Sequence, residues 1–175
     1  FKIQQDKVTG CRTYGGHGEQ MAVFRGTIAI DGVPLSEILA GKTVNGVGLS
    51  EQQWEQIRED VKKGGARIIQ LRGRSSFQSP AQLSVDMLRA AMGGEPFPWP
   101  CGVYVNTDRY RQIMMAMDTR ISPEGVTYKM PEGTPQDMAA LDASYEHLVK
   151  LRDSVIAEGI LPPLNEWKKV NPHLE

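Results

Sequence analysis

Apolar positions recur at helical spacing in two long stretches, and alternate or cluster between glycines and prolines elsewhere. Trp54, Ile57 and Val61 repeat every three or four residues, which predicts a helix with one apolar face. It opens at Ser50-Glu51-Gln52-Gln53, a capping box in which hydroxyl and side-chain amide satisfy orphan backbone donors. Gly64-Gly65 interrupts the pattern, so residues 66–71 are expected as a second, kinked piece. A further helix is expected from about Ser79 to Met92, ended by Gly93-Gly94. The longest stripe is Met138, Leu141, Tyr145, Leu148, Leu151 and Val155. Thr134 caps that helix, Pro135 occupies its first position, and Gly159 ends it.

β-Branched and aromatic residues mark the strands. Residues 7–14 predict one strand, running into Gly15-Gly16-His17-Gly18-Glu19-Gln20, and Met21 to Phe24 resumes it. Thr27 to Ile30, Asp31-Gly32 and Val33 to Leu35 predict a hairpin, because Asp-Gly suits a tight type I′ turn. Val103 to Asn106, Ile113 to Ile121 and Val126 to Met130 predict an antiparallel meander. The tail from Leu164 to Glu175 is polar and expected to lie extended on the surface. Strands, helices, strands and helix in that order give an α+β class rather than alternating βαβ units.

The 175 residues suffice for one domain with a core. A formal net charge of −1 gives no basic footprint for nucleic acid. No apolar run approaches the length of a membrane span. Cys11 and Cys101 form no disulfide framework, so a reducing, cytoplasmic setting is expected. The chain opens at Phe1 without a methionine and without a secretory signal. It is therefore expected to be part of a longer protein.

Two phosphate-loop candidates fail. Ala40-Gly41-Lys42-Thr43 has Ser36 where the loop's first glycine belongs. Gly46-Val47-Gly48 has no third glycine at the required spacing. His17, His147 and His173 lack ligand spacing, so no metal is expected. The glycine-flanked His17 has little cover from its neighbours, and backbone there can approach a ligand closely. Such a histidine can exchange a proton near neutral pH. On spacing alone, a plain loop residue is the favoured reading over a catalytic one.

The order of motifs resembles the catalytic domain of the lactate/malate dehydrogenase family. Gly15-Gly16-His17-Gly18-Glu19 is similar to that family's histidine motif, and Gly32-Val33-Pro34-Leu35 to its following hairpin. Val61 to Ala66 then leads to Ile68-Ile69-Gln70-Leu71-Arg72-Gly73, Ser75-Ser76 and a helix from Pro80. The likeness covers most of residues 7–158, weakens after about Pro98, and is poor near Met115 to Met130 and after Leu161.

The resemblance implies a fold of antiparallel strands and hairpins packed against long helices. Residues 1–163 would form the catalytic domain, with 164–175 a surface tail. It implies that His17 is the proton acceptor and donor, and that Gly16, Ser75 and Ser76 line the substrate pocket; the serines are equally suited to capping a helix. It further implies NAD bound mainly by an absent N-terminal domain, a 2-hydroxy or 2-oxo dicarboxylic acid substrate, and homo-oligomer formation. Malate is favoured over lactate because of the Gly-Gly-His form, which would place the protein in carboxylic acid metabolism of the tricarboxylic acid cycle type. The aspartate partner of the histidine and the substrate-binding arginine would lie upstream of Phe1, so the isolated chain is expected to be inactive. The alternative is a catalytically dead relative acting as a binding or assembly module.

Overall fold

The computed structural model describes residues 1–174. The strands are β1 (Val8–Thr9), β2 (Arg12–Gly15), β3 (Met21–Phe24), β4 (Ala29–Ile30), β5 (Val33–Pro34), β6 (Cys101–Val105), β7 (Ile113–Ser122) and β8 (Gly125–Lys129). The helices are α1 (Leu35–Leu39), α2 (Glu51–Arg72), α3 (Gln78–Ala91), α4 (Pro135–Ala157) and α5 (Trp167–Val170). β1, β4 and β5 form a small sheet. The larger sheet runs β3-β2-β7-β6, with β8 also on β7. All these pairings are antiparallel.

The expected single strand over residues 7–14 is broken. Gly10 has a φ of +69°, and a Cβ there would sit 1.8 Å from the Thr27 carbonyl oxygen. The chain therefore crosses from one sheet to the other at Gly10: Val8 pairs with Ile30, whereas Arg12 pairs with Phe24. The Asp31-Gly32 turn is as expected, with φ values of 49° and 77°, the pair of positive angles that a type I′ turn needs.

The expected kink at Gly64-Gly65 is absent, and α2 runs unbroken for 22 residues. Two interior glycines cost about 2 kcal/mol relative to alanine. Restarting a helix costs about 4 kcal/mol, given a nucleation parameter near 10⁻³. Continuity is the cheaper outcome. Ser50 and Gln53 form the capping box at one end, and Gly73 closes the other in the left-handed conformation.

The main core lies between the large sheet and α4. Tyr14, Phe24, Met115 and Met117 meet Leu141, with Met138, Tyr145 and Leu148 around them. Tyr14 and Phe24 pack edge to face at 4.6 Å. A second cluster joins the small sheet, α1 and Trp54 at the start of α2. A third seats Ala90 and Phe97 against Ile121 of β7. The tail is not extended as expected: residues 164–166 form a 3-10 turn leading into α5. Trp167 Nε1 donates to the Pro162 carbonyl at 2.8 Å, and its ring lies 6.3 Å from that of Tyr104.

Candidate active site

The candidate site is the loop between β2 and β3. Gly15 pairs with Met21, so residues 16–20 are the loop and His17 is its second member. His17 is extended, with φ −100° and ψ 154°, and is followed by a 3-10 turn over Gly18–Gln20. Its side chain is exposed.

The loop is held from both sides. Met21 N–H donates to the Gly18 carbonyl below His17. Above it, Gly16 N–H donates to Ser144 Oγ of α4 at 2.8 Å. Ser144 is only 2% exposed. Gly15 has a φ of +79°, and a Cβ there would lie 2.3 Å from Ser144 Oγ and 2.8 Å from Ser144 Cβ. Gly15 therefore admits the close approach of α4, whereas a Cβ at Gly16 would make only ordinary contacts and one at Gly18 none within 4 Å.

α2 flanks the same loop. A cleft of about 220 Å³ between them is lined by Glu19, Gln20, Arg58, Lys62 and Ser144, among others. Its two cations are engaged on their own helix: Arg58 pairs with Glu55, and Lys62 with Glu59 at 3.5 Å. Lys62 lowers the pKa of the Glu59 carboxyl from its ordinary value.

Ser75 is exposed and Ser76 partly buried, in the turn between α2 and α3. Neither caps a helix, because the N-cap of α3 is Phe77 and no side chain bonds there. α2 borders the His17 loop through Arg58 and Lys62, and Arg72 lies ten residues past Lys62. At 1.5 Å per residue that is about 15 Å along the axis. Among the described residues, no hydrogen bond joins His17 or Gly16 to either serine. The site is thus a histidine loop clamped by α4, with the serine turn at the far end of α2.

Sequence reasoning missed Ser144 and Asp137. Asp137 is 3% exposed. Its carboxylate accepts from Arg25 N at 2.8 Å, Gly26 N at 2.9 Å and Thr134 N at 2.9 Å. It ties the start of α4 to the turn after β3. The available signal was its place three residues after Thr134, where a capping-box partner belongs. Tyr14, inside β2, donates to Asp118 Oδ1 at 2.8 Å. Burial, then this bond, push its phenol above the ordinary value.

Two antiparallel sheets backed by long helices, with a histidine in a hairpin loop, give the α+β architecture that the motifs imply. The family model of the lactate/malate dehydrogenase alpha/beta C-terminal domain matches residues 3–158. The chain belongs to that family. A malate dehydrogenase of Staphylococcus carnosus is 30% identical over 128 residues, covering 72% of this chain and 38% of that protein. Malate dehydrogenase 1 of Aquifex aeolicus is 30% identical over 92 residues, 53% of this chain and 24% of that protein. The structure of Plasmodium falciparum malate dehydrogenase in complex with NADH superposes with a TM-score of 0.75 at 21% identity. The match covers 89% of this chain and 50% of that one. The stretch that was expected to fit poorly, Met115 to Met130, lies within residues 3–158 and forms β7 and β8. The chain spans half the length of these relatives or less.

Proposed function

We propose that this chain is the catalytic domain of an NAD-dependent 2-hydroxy-acid dehydrogenase that interconverts malate and oxaloacetate, with His17 as the proton-transferring residue. The observation that carries the proposal is the exposed His17 at the end of β2, in a loop tied on both sides, within a chain matched to the family over residues 3–158. A tethered but exposed imidazole can reach a substrate oxygen and return its proton to water. In malate oxidation it takes the proton of the 2-hydroxyl; in reduction it returns one to the carbonyl oxygen. Gly16 offers backbone without a side chain beside that oxygen. Ser75 and Ser76, free of capping duty, are available to a ligand at the turn after α2.

NAD supplies the hydride acceptor. Two features support a cradle outside the described residues: their strand pairings are antiparallel, and no glycine-rich strand-to-helix turn is present among them. The dinucleotide is assigned to an N-terminal domain of the full-length protein. That domain would also bring the aspartate that orients His17 and the arginine that holds the substrate carboxylate. The apolar side chains left bare on α2 and α3 support docking of that domain or of a second subunit. Leu71 is 78% exposed and Leu88 60%, and contiguous exposed apolar surface marks interaction sites. A cytoplasmic homodimer is the assembly proposed. No helix among the described residues is long and apolar enough to cross a membrane.

The test is NADH oxidation with oxaloacetate. The full-length protein is expected to turn over, with oxaloacetate preferred to pyruvate, and the 175-residue chain alone is expected to be inert. Turnover by the isolated chain, or none by the full-length protein, would refute the proposal.

A further inference from the structure

We infer that Ser144 is a positioning residue for His17, acting through the Gly16 backbone amide. Three observations converge on it. Ser144 is a buried hydroxyl on the face of α4 that otherwise presents Leu141, Tyr145 and Leu148 to the sheet. A buried hydroxyl is retained at such a place only with a partner, and its partner is Gly16 N–H at 2.8 Å. That amide is one residue before His17, at the point where pairing with β3 has already ended at Gly15 and Met21. The next backbone tie is Met21 N–H to the Gly18 carbonyl. His17 is thus spanned by two anchors, and Ser144 is the one supplied from outside the loop.

The fit is specific to a short side chain. Gly15 turns at a φ of +79°, with Ser144 occupying the space a Cβ would need. A Cβ at Gly16 would lie in ordinary contact range of Leu148 and Gln20. The amide is part-buried, and losing Ser144 Oγ removes its acceptor. The loop is then held by the Met21–Gly18 bond alone, and His17 is freer to leave its position. A misplacement of this kind lowers turnover more than ground-state binding.

This inference rests on the proposed role of His17 for its kinetic consequence only, so the test has two arms. The first is amide hydrogen exchange in the 175-residue chain. Ser144→Ala is expected to raise Gly16 exchange about tenfold, the factor that one hydrogen bond of ordinary net strength carries, while β7 amides stay protected. Unchanged Gly16 exchange in Ser144→Ala overturns the inference. The second arm is steady-state turnover of the full-length protein. Ser144→Ala is expected to lower kcat about tenfold with substrate KM little changed, and to add nothing in a His17→Asn background. Equal losses in both backgrounds overturn the inference, because they show Ser144 acting independently of the histidine. If His17→Asn itself leaves turnover intact, the proposed function fails, and the exchange arm still decides whether Ser144 anchors the loop.

Discussion

Replacing Gly15 by alanine tests directly whether α4 and the histidine loop are packed as described. Two independent penalties are expected. The residue turns at a φ of +79°, and an L side chain held in the left-handed region costs about 1–2 kcal/mol. The new methyl would also fall 2.3 Å from Ser144 Oγ, 2.8 Å from Ser144 Cβ and 3.4 Å from Leu141 Cδ1. Ser144 Cβ is fixed by the helix and cannot rotate away, and overpacking of this sort costs about 1–3 kcal/mol. The sum is about 2–5 kcal/mol, which lowers the melting temperature by roughly 4–20 °C at the 2–4 °C per kcal/mol expected of a chain this size. The two penalties separate in a double-mutant cycle with Ser144→Gly, which removes the steric partner and leaves the φ penalty. Urea unfolding followed by tryptophan fluorescence reads all four variants. Gly15→Ala should cost about 1–2 kcal/mol in the Ser144→Gly background, for a coupling of about 1–3 kcal/mol. A coupling below about 0.5 kcal/mol, the range of independent sites, would refute the close approach of α4 to Gly15.

Other perturbations probe the supports of the same framework. Asp137→Ala removes the acceptor for three backbone amides at 2.8–2.9 Å; urea unfolding should show a loss of about 3–5 kcal/mol, and a loss under 1 kcal/mol would contradict the buried clamp. Ser50→Ala breaks the α2 capping box and should cost about 1 kcal/mol, measured the same way. Asp142 accepts two bonds from Arg109, at 3.0 and 2.8 Å, and one from the Tyr110 hydroxyl at 2.8 Å. The Arg109 bonds foremost hold its carboxyl below the ordinary value. A depressed carboxyl pKa stabilises the fold above the unfolded pKa, near 3.9, and that stability is lost as pH falls through the lower folded value. Because the pair is about half exposed, the effect is held to about 1 kcal/mol or less. Thermal melts at pH 7 and pH 3 should therefore differ less for Asp142→Asn than for the parent, and an equal difference would contradict the assignment.

The helices were legible where their ends were written in the sequence. Ser50 with Gln53 and Thr134 with Pro135 mark boundaries by side-chain chemistry, Gly159 by a φ of 71°, and the observed boundaries follow them. The Asp31-Gly32 turn was legible for the same reason. Gly10 was not, because its role is set by the Thr27 carbonyl 17 residues away, and residues 7–14 alone look like one continuous strand. Gly64-Gly65 misled in the opposite sense: glycine signals a break locally, but the cost of a second nucleation outweighs it. At the site, His17 stood out through its glycines, and the structure gives one of them a further reason. Gly15 makes room for α4. Ser144 left almost no trace, since one small polar residue on an apolar stripe gives no periodic signal. Its meaning comes from an amide 128 positions earlier. Ser75 and Ser76 were read both as pocket residues and as a helix cap, and the structure removes the cap because Phe77 holds that place.

The proton-transfer role proposed for His17 is open to one direct measurement. The measurement is kcat for oxaloacetate reduction by the full-length protein carrying His17→Asn, alongside its affinity for NADH. Loss of a positioned acid/base residue is expected to lower kcat by about 10²–10⁴, with cofactor affinity unchanged on the proposal that an N-terminal domain binds the dinucleotide. Turnover within a few-fold of the parent would contradict the claim that this loop carries the proton.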